Sequence, residues 1–398
     1  MSIRGIFPGI LIGLTLNQQA WSVVLHLIGR TTLWFTTLAA AVIVLSTFRQ
    51  KRWILFVISF ILLSKAGRVV IGDDSIFASL YNVSIGVLYC GAGAAVVLQN
   101  SRLIYRQVML FSLLSIPLMI LQILGFWEWP YFLRGEFNNY IAAPTLFVDE
   151  NIIIKSFQSR PSGLLYTNVF TVIIIMFALA LHYGRIKTRK LILGDVLLCA
   201  FTVLAMAKTA FLAFAVIILC LLICGDSWKR QKMIKVTALF FALVTVYAFF
   251  FPGNFTYNTS WNLLRTNFIM RVSALDARMR GNTLSEITIQ DSEGVPHEYI
   301  LGDDPQSGYG EIGDMLPYVI VAAFFILPLW YRGFKKLRCH RPELTDSTIL
   351  SLFVVILIPI TASFWGSVII WFIAGFGLLP LFLLLNPYSF RPPLKYRQ

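Results

Sequence analysis

The stretch LILGDVLLCAFTVLAMAKTAFLAFAVIILCLLIC, residues 191–224, decides how this chain folds. It holds 34 nearly unbroken apolar residues. As one helix it would extend about 51 Å at about 1.5 Å per residue, well beyond a hydrocarbon core of about 30 Å. The chain is therefore expected to turn near Lys208.

Working outward, further apolar runs lie near 5–20, 31–48, 53–72, 76–98, 107–125, 163–183, 236–251, 316–331, 348–365 and 368–385. With 191–207 and 209–224 they predict an all-α polytopic membrane protein of about 12 transmembrane helices. Composition agrees: 58% hydrophobic and 13% charged residues with a mean hydropathy of +0.75 leave too little polar surface for a soluble domain of this size. No long polar block stands apart, so residues 1–398 read as a single membrane domain. Ile6 to Leu16 resembles a signal-peptide core, but no small-residue cleavage site follows; it reads as an uncleaved first span.

The net charge of +14 would raise the question of nucleic acid in a soluble protein. Here it is a topology signal, because the bases cluster in short segments between apolar runs. Take Arg49 to Arg52 as cytoplasmic. Alternation then places Arg102 and Arg106, Arg185 to Lys190, Lys229 to Lys235, Arg332 to Arg341 and Arg391 to Arg397 on the same side. With Arg4, that side holds 22 of the 33 Lys and Arg and only four acids (Asp195, Asp226, Glu343, Asp346), a net of +18. The other side holds 11 bases and 15 acids, a net of −4. A multi-pass inner-membrane protein with both termini cytoplasmic is expected.

Two outer loops are too long to be simple connectors, 126–162 and 252–315. The first opens with Trp127, Glu128, Trp129, Pro130, Tyr131 and Phe132, read as an interfacial aromatic anchor. In the second, Trp261, Leu264, Phe268, Val272, Leu275 and Met279 define one face of an amphipathic helix. Arg271 and Arg278 flank that face on one side and Arg265 on the other. Ile287 and Ile289, then Val295, His297 and Tyr299, alternate around Asp291-Ser292-Glu293-Gly294 and predict a small β-hairpin. The five cysteines show neither a disulfide framework nor metal-ligand spacing, and no phosphate-binding glycine loop is present.

Ionisable residues inside spans mark ion or substrate pathways, and the apolar runs hold almost none. Asp195 lies within about a turn of the basic edge. Lys65, Arg68, Asp73, Asp74, Arg160, Lys208 and Arg265 to Arg280 instead gather toward the outer rim. That distribution disfavours a secondary transporter or flippase, which is expected to place such groups near the midplane. Arginine matters here because its planar fork binds phosphate oxygens bidentately. The bland readings are interfacial snorkelling for Arg160, a turn reaching water for Lys208, a solvated helix flank for Arg265, Arg271 and Arg278, and an exposed hairpin side chain for His297.

Arg160-Pro161-Ser162-Gly163 leading a span, the break at Ala207-Lys208-Thr209-Ala210 and the long outer loop together resemble the O-antigen polymerase (Wzy) and ligase superfamily. Within that loop, Arg271-Val272-Ser273-Ala274-Leu275, then Leu301-Gly302, then Ser307-Gly308-Tyr309 follow the family's order. The resemblance covers residues 160–331; the first 125 residues match only in hydropathy. It implies a GT-C-like helical fold and a metal-independent membrane glycosyltransferase using no cofactor. Such an enzyme polymerises undecaprenyl-diphosphate-linked repeat units into O-antigen or a related surface polysaccharide at the periplasmic face. The partners implied are lipid-linked glycan donor and acceptor, membrane lipid and a chain-length regulator protein, with no nucleic acid.

Ligases of the superfamily resemble one another in a His followed by Asn, Ser or Gln where the long loop rejoins the membrane. Here that stretch holds Asp304, Gln306 and Ser307, which favours polymerase over a ligase acting on lipid A-core. The implied mechanism has an acceptor hydroxyl attacking the donor's anomeric carbon as the lipid diphosphate leaves. Arg271 and Arg160 would stabilise the departing charge, Asp304 would act as general base, and Arg265, Lys208, Arg278 and Tyr309 would bind substrate.

Overall fold

Backbone hydrogen bonding turns the apolar runs into helices α1 (Ile3–Leu16), α2 (Thr32–Thr47), α3 (Arg52–Ile71), α4 (Ser75–Ile123), α5 (Asn168–Arg185), α6 (Leu193–Ala205), α7 (Lys208–Cys224) and α8 (Ser227–Phe250). A two-stranded hairpin follows, β1 (Ser285–Gln290) and β2 (Pro296–Leu301). The chain continues through α9 (Tyr309–His340), a short 3-10 turn (Pro342–Leu344), α10 (Thr345–Thr361), α11 (Val368–Gly377) and α12 (Leu379–Leu385). This computed structural model describes residues 3–16, 32–48, 52–71, 75–126, 161–165, 168–185, 188–252, 285–290, 296–301, 309–361 and 368–385.

The long apolar stretch breaks where its length demands. Met206 adopts the left-handed region (φ 44°, ψ 38°), its N–H closing on the Val203 carbonyl at 3.1 Å, and extended Ala207 leads into α7 at Lys208. A second break divides α4, at Asn100 (φ −156°, ψ 76°). The Asn100 carboxamide oxygen accepts the Leu103 N–H at 3.1 Å, which caps the start of the second arm. That arm ends in a Schellman turn: Gly125 is left-handed (φ 73°), Phe126 N–H bonds the Leu121 carbonyl at 2.9 Å and Gly125 N–H bonds that of Gln122 at 3.1 Å.

The hairpin predicted around residues 291–294 is antiparallel, with Glu286 opposite Ile300 and Ile289 opposite His297. The amphipathic helix expected over 261–279 lies outside the described residues, as does the aromatic cluster 127–132. One expectation is corrected. The basic groups Lys229 to Lys235 and Arg332 to Arg338 are not connectors between helices but helical turns of α8 and α9. Lysine and arginine are good helix formers, and a helix that has left an apolar environment keeps its backbone bonds in water, so nothing stops it at the last apolar residue.

Packing centres on α4 and α5. The first arm of α4 lies along α11 at backbone contact: a methyl group on Gly93 would overlap the Phe372 carbonyl oxygen, and one on Gly375 that of Cys90. Such small-residue seams replace the hydrophobic drive where apolar surface is already dissolved. α5 is buried on every side from Phe170 to Gly184, covered by α4, α6, α7 and α10. Peripheral α8 is the opposite case. Only Lys232, Met233, Val236 and Tyr247 are buried there, while Phe241, Val246, Phe249 and Phe250 are exposed. A row of bare aromatic and aliphatic groups of this length is uncommon on a helix that faces water. By length and composition, the Leu80–Ile123 part of α4 and α8 are long enough to cross a membrane; 36–47, 53–64, 170–185, 193–205, 210–223 and 368–377 form shorter apolar helices.

Candidate functional site

Four of the segments that charge alternation assigns to one side, those around Arg102, Arg185, Lys229 and Arg341, meet at one end of the bundle. Arg185 reaches the Ser101 carbonyl and lies over the Tyr105 ring, its guanidinium carbon 5.3 Å from the centroid. Lys229 pairs with Asp346 at 2.5 Å, and Arg230 caps the end of α7 by donating to the carbonyls of Gly225 and Ile223 at 3.0 and 3.1 Å. Here, too, lies an open cleft of about 480 Å³ lined by Gly184, Arg189, Asp226, Trp228, Lys229, Pro342, Glu343 and Asp346.

Beneath that end runs a buried polar chain. Tyr105 Oη lies 2.8 Å from His182 Nδ1, His182 Nε2 lies 3.0 Å from Asp195 Oδ1, and Lys232 Nζ lies 3.0 Å from Asp195 Oδ2. Asp195, in the first turn of α6, also accepts the Ile192 N–H at 2.8 Å, closing that helix start as in a capping box. Lys232 Nζ donates to the Lys190 carbonyl at 3.2 Å. His182 and Asp195 have no exposed surface and Lys232 has 1%, so these groups tie α4, α5, α6 and α8 together and meet no substrate.

The opposite end carries residues 161–165. Residues 161–165 form a tight entry before α5, stitched to two helices. Gln122 Oε1 accepts the N–H groups of Ser162 and Gly163, each at 2.9 Å, with Gln122 Nε2 3.4 Å from Ser162 Oγ. Thr171 Oγ1 donates to the Ser162 carbonyl at 2.5 Å. Gly163 is left-handed (φ 66°), and a Cβ there would sit 2.9 Å from that of Ser115. Pro161, Ser162 and Gly163 are all buried.

Lys208 stands at the first position of α7 and Tyr309 at the first position of α9, and His297 pairs with Ile289 in the hairpin. Arg160, Arg265, Arg271, Arg278 and Asp304 lie outside the described residues. Pro161 stands at this end, and chain direction carries Lys208 there too, since α5 and α6 are joined at the other end. Among the described residues no group of His, Cys, Asp and Glu has the clustering to hold a metal ion.

Sequence reasoning placed Asp195 near the basic edge but missed its partners and missed Gln122. The available signal was charge balance: a carboxylate in an apolar run needs a cation or hydrogen-bond donors, although Arg189 and Lys190 lie nearer to it along the chain than His182 and Lys232 do. Compared with known family models, curated proteins and solved structures, this chain matches none.

Proposed function

We propose that this protein is a multi-pass inner-membrane glycosyltransferase that polymerises undecaprenyl-diphosphate-linked oligosaccharide repeat units at the outer face of the membrane. The observation that carries the reading is the end-to-end division of the molecule. Basic helix ends, with acids among them, gather at one pole; at the other, the Pro161-Ser162-Gly163 entry is bolted down beside the arm of α4. Both termini are then cytoplasmic, and the outer arginines face a leaflet from which a lipid-anchored diphosphate can approach.

The chemistry follows from charge. An acceptor hydroxyl attacks the anomeric carbon of the donor glycan, the bond to the diphosphate oxygen breaks, and two negative phosphates depart still attached to their lipid. Arg160, Arg265 and Arg271 neutralise that departure, with Lys208 and Arg278 adding positive potential and Tyr309 lining the acceptor path; Asp304 takes the hydroxyl proton. A chain of rigid guanidinium forks matches phosphate oxygens better than ammonium groups do. The exposed apolar flank of α8 fits a protein surrounded by lipid.

Purified protein incubated with a lipid-linked repeat unit should give a ladder of products differing by one unit. A single transfer to lipid A-core without a ladder would assign the ligase reaction instead. Translocation of the lipid-linked unit across vesicles with no new glycosidic bond would overturn the enzyme reading.

A further inference from the structure

We propose that one face of α9 is a binding site for an anionic phospholipid of the cytoplasmic leaflet, with acyl chains lying along Phe324 and Leu327 and the phosphate held between Lys335 and Arg338. The inference rests on the membrane reading above for what surrounds the helix, and on the side chains of α9 for the site itself.

At about 100° per residue, Phe324, Leu327, Tyr331, Lys335 and Arg338 all fall within about 40° of the Tyr331 direction. All five are exposed, Phe324 by 76%, Leu327 by 56% and Tyr331 by 54%. The far side of the helix is taken up by packing. Trp330 Nε1 donates to the Gly377 carbonyl at 2.7 Å, a methyl group on Gly333 would overlap the Pro380 carbonyl oxygen, and Leu337 is fully buried. One open stripe therefore runs from apolar through aromatic to cationic as α9 approaches its basic end.

That order is the order of layers in a leaflet. Tyrosine favours the boundary between hydrocarbon and headgroups, and Lys and Arg reach into the headgroups on apolar stems. From Tyr331 to Arg338 the helix rises about 10 Å, and helical side chains lean back toward the N-terminus, so both bases reach the layer just beyond the tyrosine. Lys335 shows this lean, its Nζ lying 4.7 Å from the centroid of the Tyr331 ring. Lys335 and Arg338 are neighbours on the helix surface and can bracket one phosphate. The helix also needs its depth fixed: its 32 residues extend about 48 Å, beyond a hydrocarbon core of about 30 Å.

Charge selects the lipid. Elsewhere at this pole Lys229 pairs with Asp346, Lys232 with Asp195 and Arg341 with Glu343. Among the described residues, Arg332, Lys335, Lys336 and Arg338 have no acidic partner. Four uncompensated cations in about two turns attract headgroups of net negative charge, and each base in contact with them adds about fivefold to the affinity. Phosphatidylglycerol keeps its phosphate charge, whereas the ammonium of phosphatidylcholine cancels it.

The test places the purified full chain in phosphatidylcholine nanodiscs with a trace of phosphatidylglycerol or phosphatidylcholine carrying a photoactivatable acyl chain, and maps the adducts by mass spectrometry. The phosphatidylglycerol probe should label Leu327 to Tyr331 more strongly than the phosphatidylcholine probe does. Lys335→Gln with Arg338→Gln should cut that labelling about twenty-five-fold. Arg332→Gln with Lys336→Gln removes the same charge from the same turns but off the stripe, where a base acts only through a screened field, and should cut it about fivefold or less.

Equal losses from the two pairs overturn the site and leave a diffuse surface potential. Equal labelling by the two probes in the wild-type protein overturns it as well, and displacement of the probe by millimolar inorganic phosphate would give the bases to a soluble anion instead. If neither probe marks the exposed face of α8, the membrane reading itself has failed, an outcome that substitutions in α9 cannot produce.

Discussion

Replacing Lys232 by methionine, or Asp195 by leucine, should destabilise the protein by unequal amounts, and the order is set by what each leaves behind. Breaking a buried ion pair by removing one partner costs about 3–5 kcal/mol, because the survivor stays desolvated and uncompensated. In Lys232→Met the surviving carboxylate keeps two contacts, His182 at 3.0 Å and the Ile192 N–H at 2.8 Å. Its cost should fall near the lower figure, about 3 kcal/mol. In Asp195→Leu the ammonium of Lys232 keeps, among the described residues, the Lys190 carbonyl at 3.2 Å, and the Ile192 N–H loses its side-chain acceptor. An unmade buried hydrogen bond adds about 1–3 kcal/mol, which carries this variant to about 5 kcal/mol or beyond. The double variant should cost less than the sum by about 1.5 kcal/mol or more, since neither charge is then orphaned. Equilibrium unfolding in mixed detergent micelles, followed by tryptophan fluorescence, gives all three values. If Lys232→Met proves the costlier of the two, or if both lie within about 1 kcal/mol of wild type, the buried network is not what joins these helices.

Cysteines placed at Gln231 and Gln398 should stay shielded from an impermeant thiol reagent in intact cells while one at Ser292 is labelled; the reverse pattern would invert the topology. Arg271→Ala should abolish or strongly shorten polymer at normal membrane levels of protein, since losing one preorganised donor to a developing anion costs about 2.7–4 kcal/mol. Arg271→Lys should recover part of that activity and His297→Ala most of it, whereas an inactive His297→Ala would move the assignment to the ligase reaction. Gly163→Ala should cost about 1–2 kcal/mol from left-handed backbone alone, with more from the 2.9 Å approach to Ser115. A Gly163→Ala protein as stable as wild type in the same unfolding experiment would mean that the entry turn relaxes freely.

Local physics made much of the fold legible in the sequence. The turn at Lys208 followed from length alone, and the hairpin from alternation around Asp291 to Gly294. The grouping of the described basic segments around Arg102, Arg185, Lys229 and Arg341 followed from alternation of sides. What stayed hidden was long-range and rotational. Periodicity says that α5 is apolar, but not that His182 at its end faces Asp195 rather than outward, since that depends on how the helix is turned and which neighbour covers it. Lys232 looked like one more loop cation because sequence places the end of an apolar run more easily than the start of the helix behind it. Gln122 was silent for a similar reason: one amide near a helix end is ordinary, and its importance comes from a segment 40 residues away. Arg160, Arg265, Arg271 and Arg278 lie outside the described residues.

The complete enclosure of α5 has a consequence for the order in which the protein is made. One of its walls, α10, ends 176 residues after α5 does. At a synthesis rate of about 5–20 residues per second, roughly 9–35 s pass between emergence of the helix and completion of that wall. During this interval Gly184 lacks Ser347, the residue whose backbone later lies against it. A ribosome that stalls before Thr345 therefore leaves a nascent chain with an unroofed central helix, and such a truncated product is the form a quality-control protease should meet first.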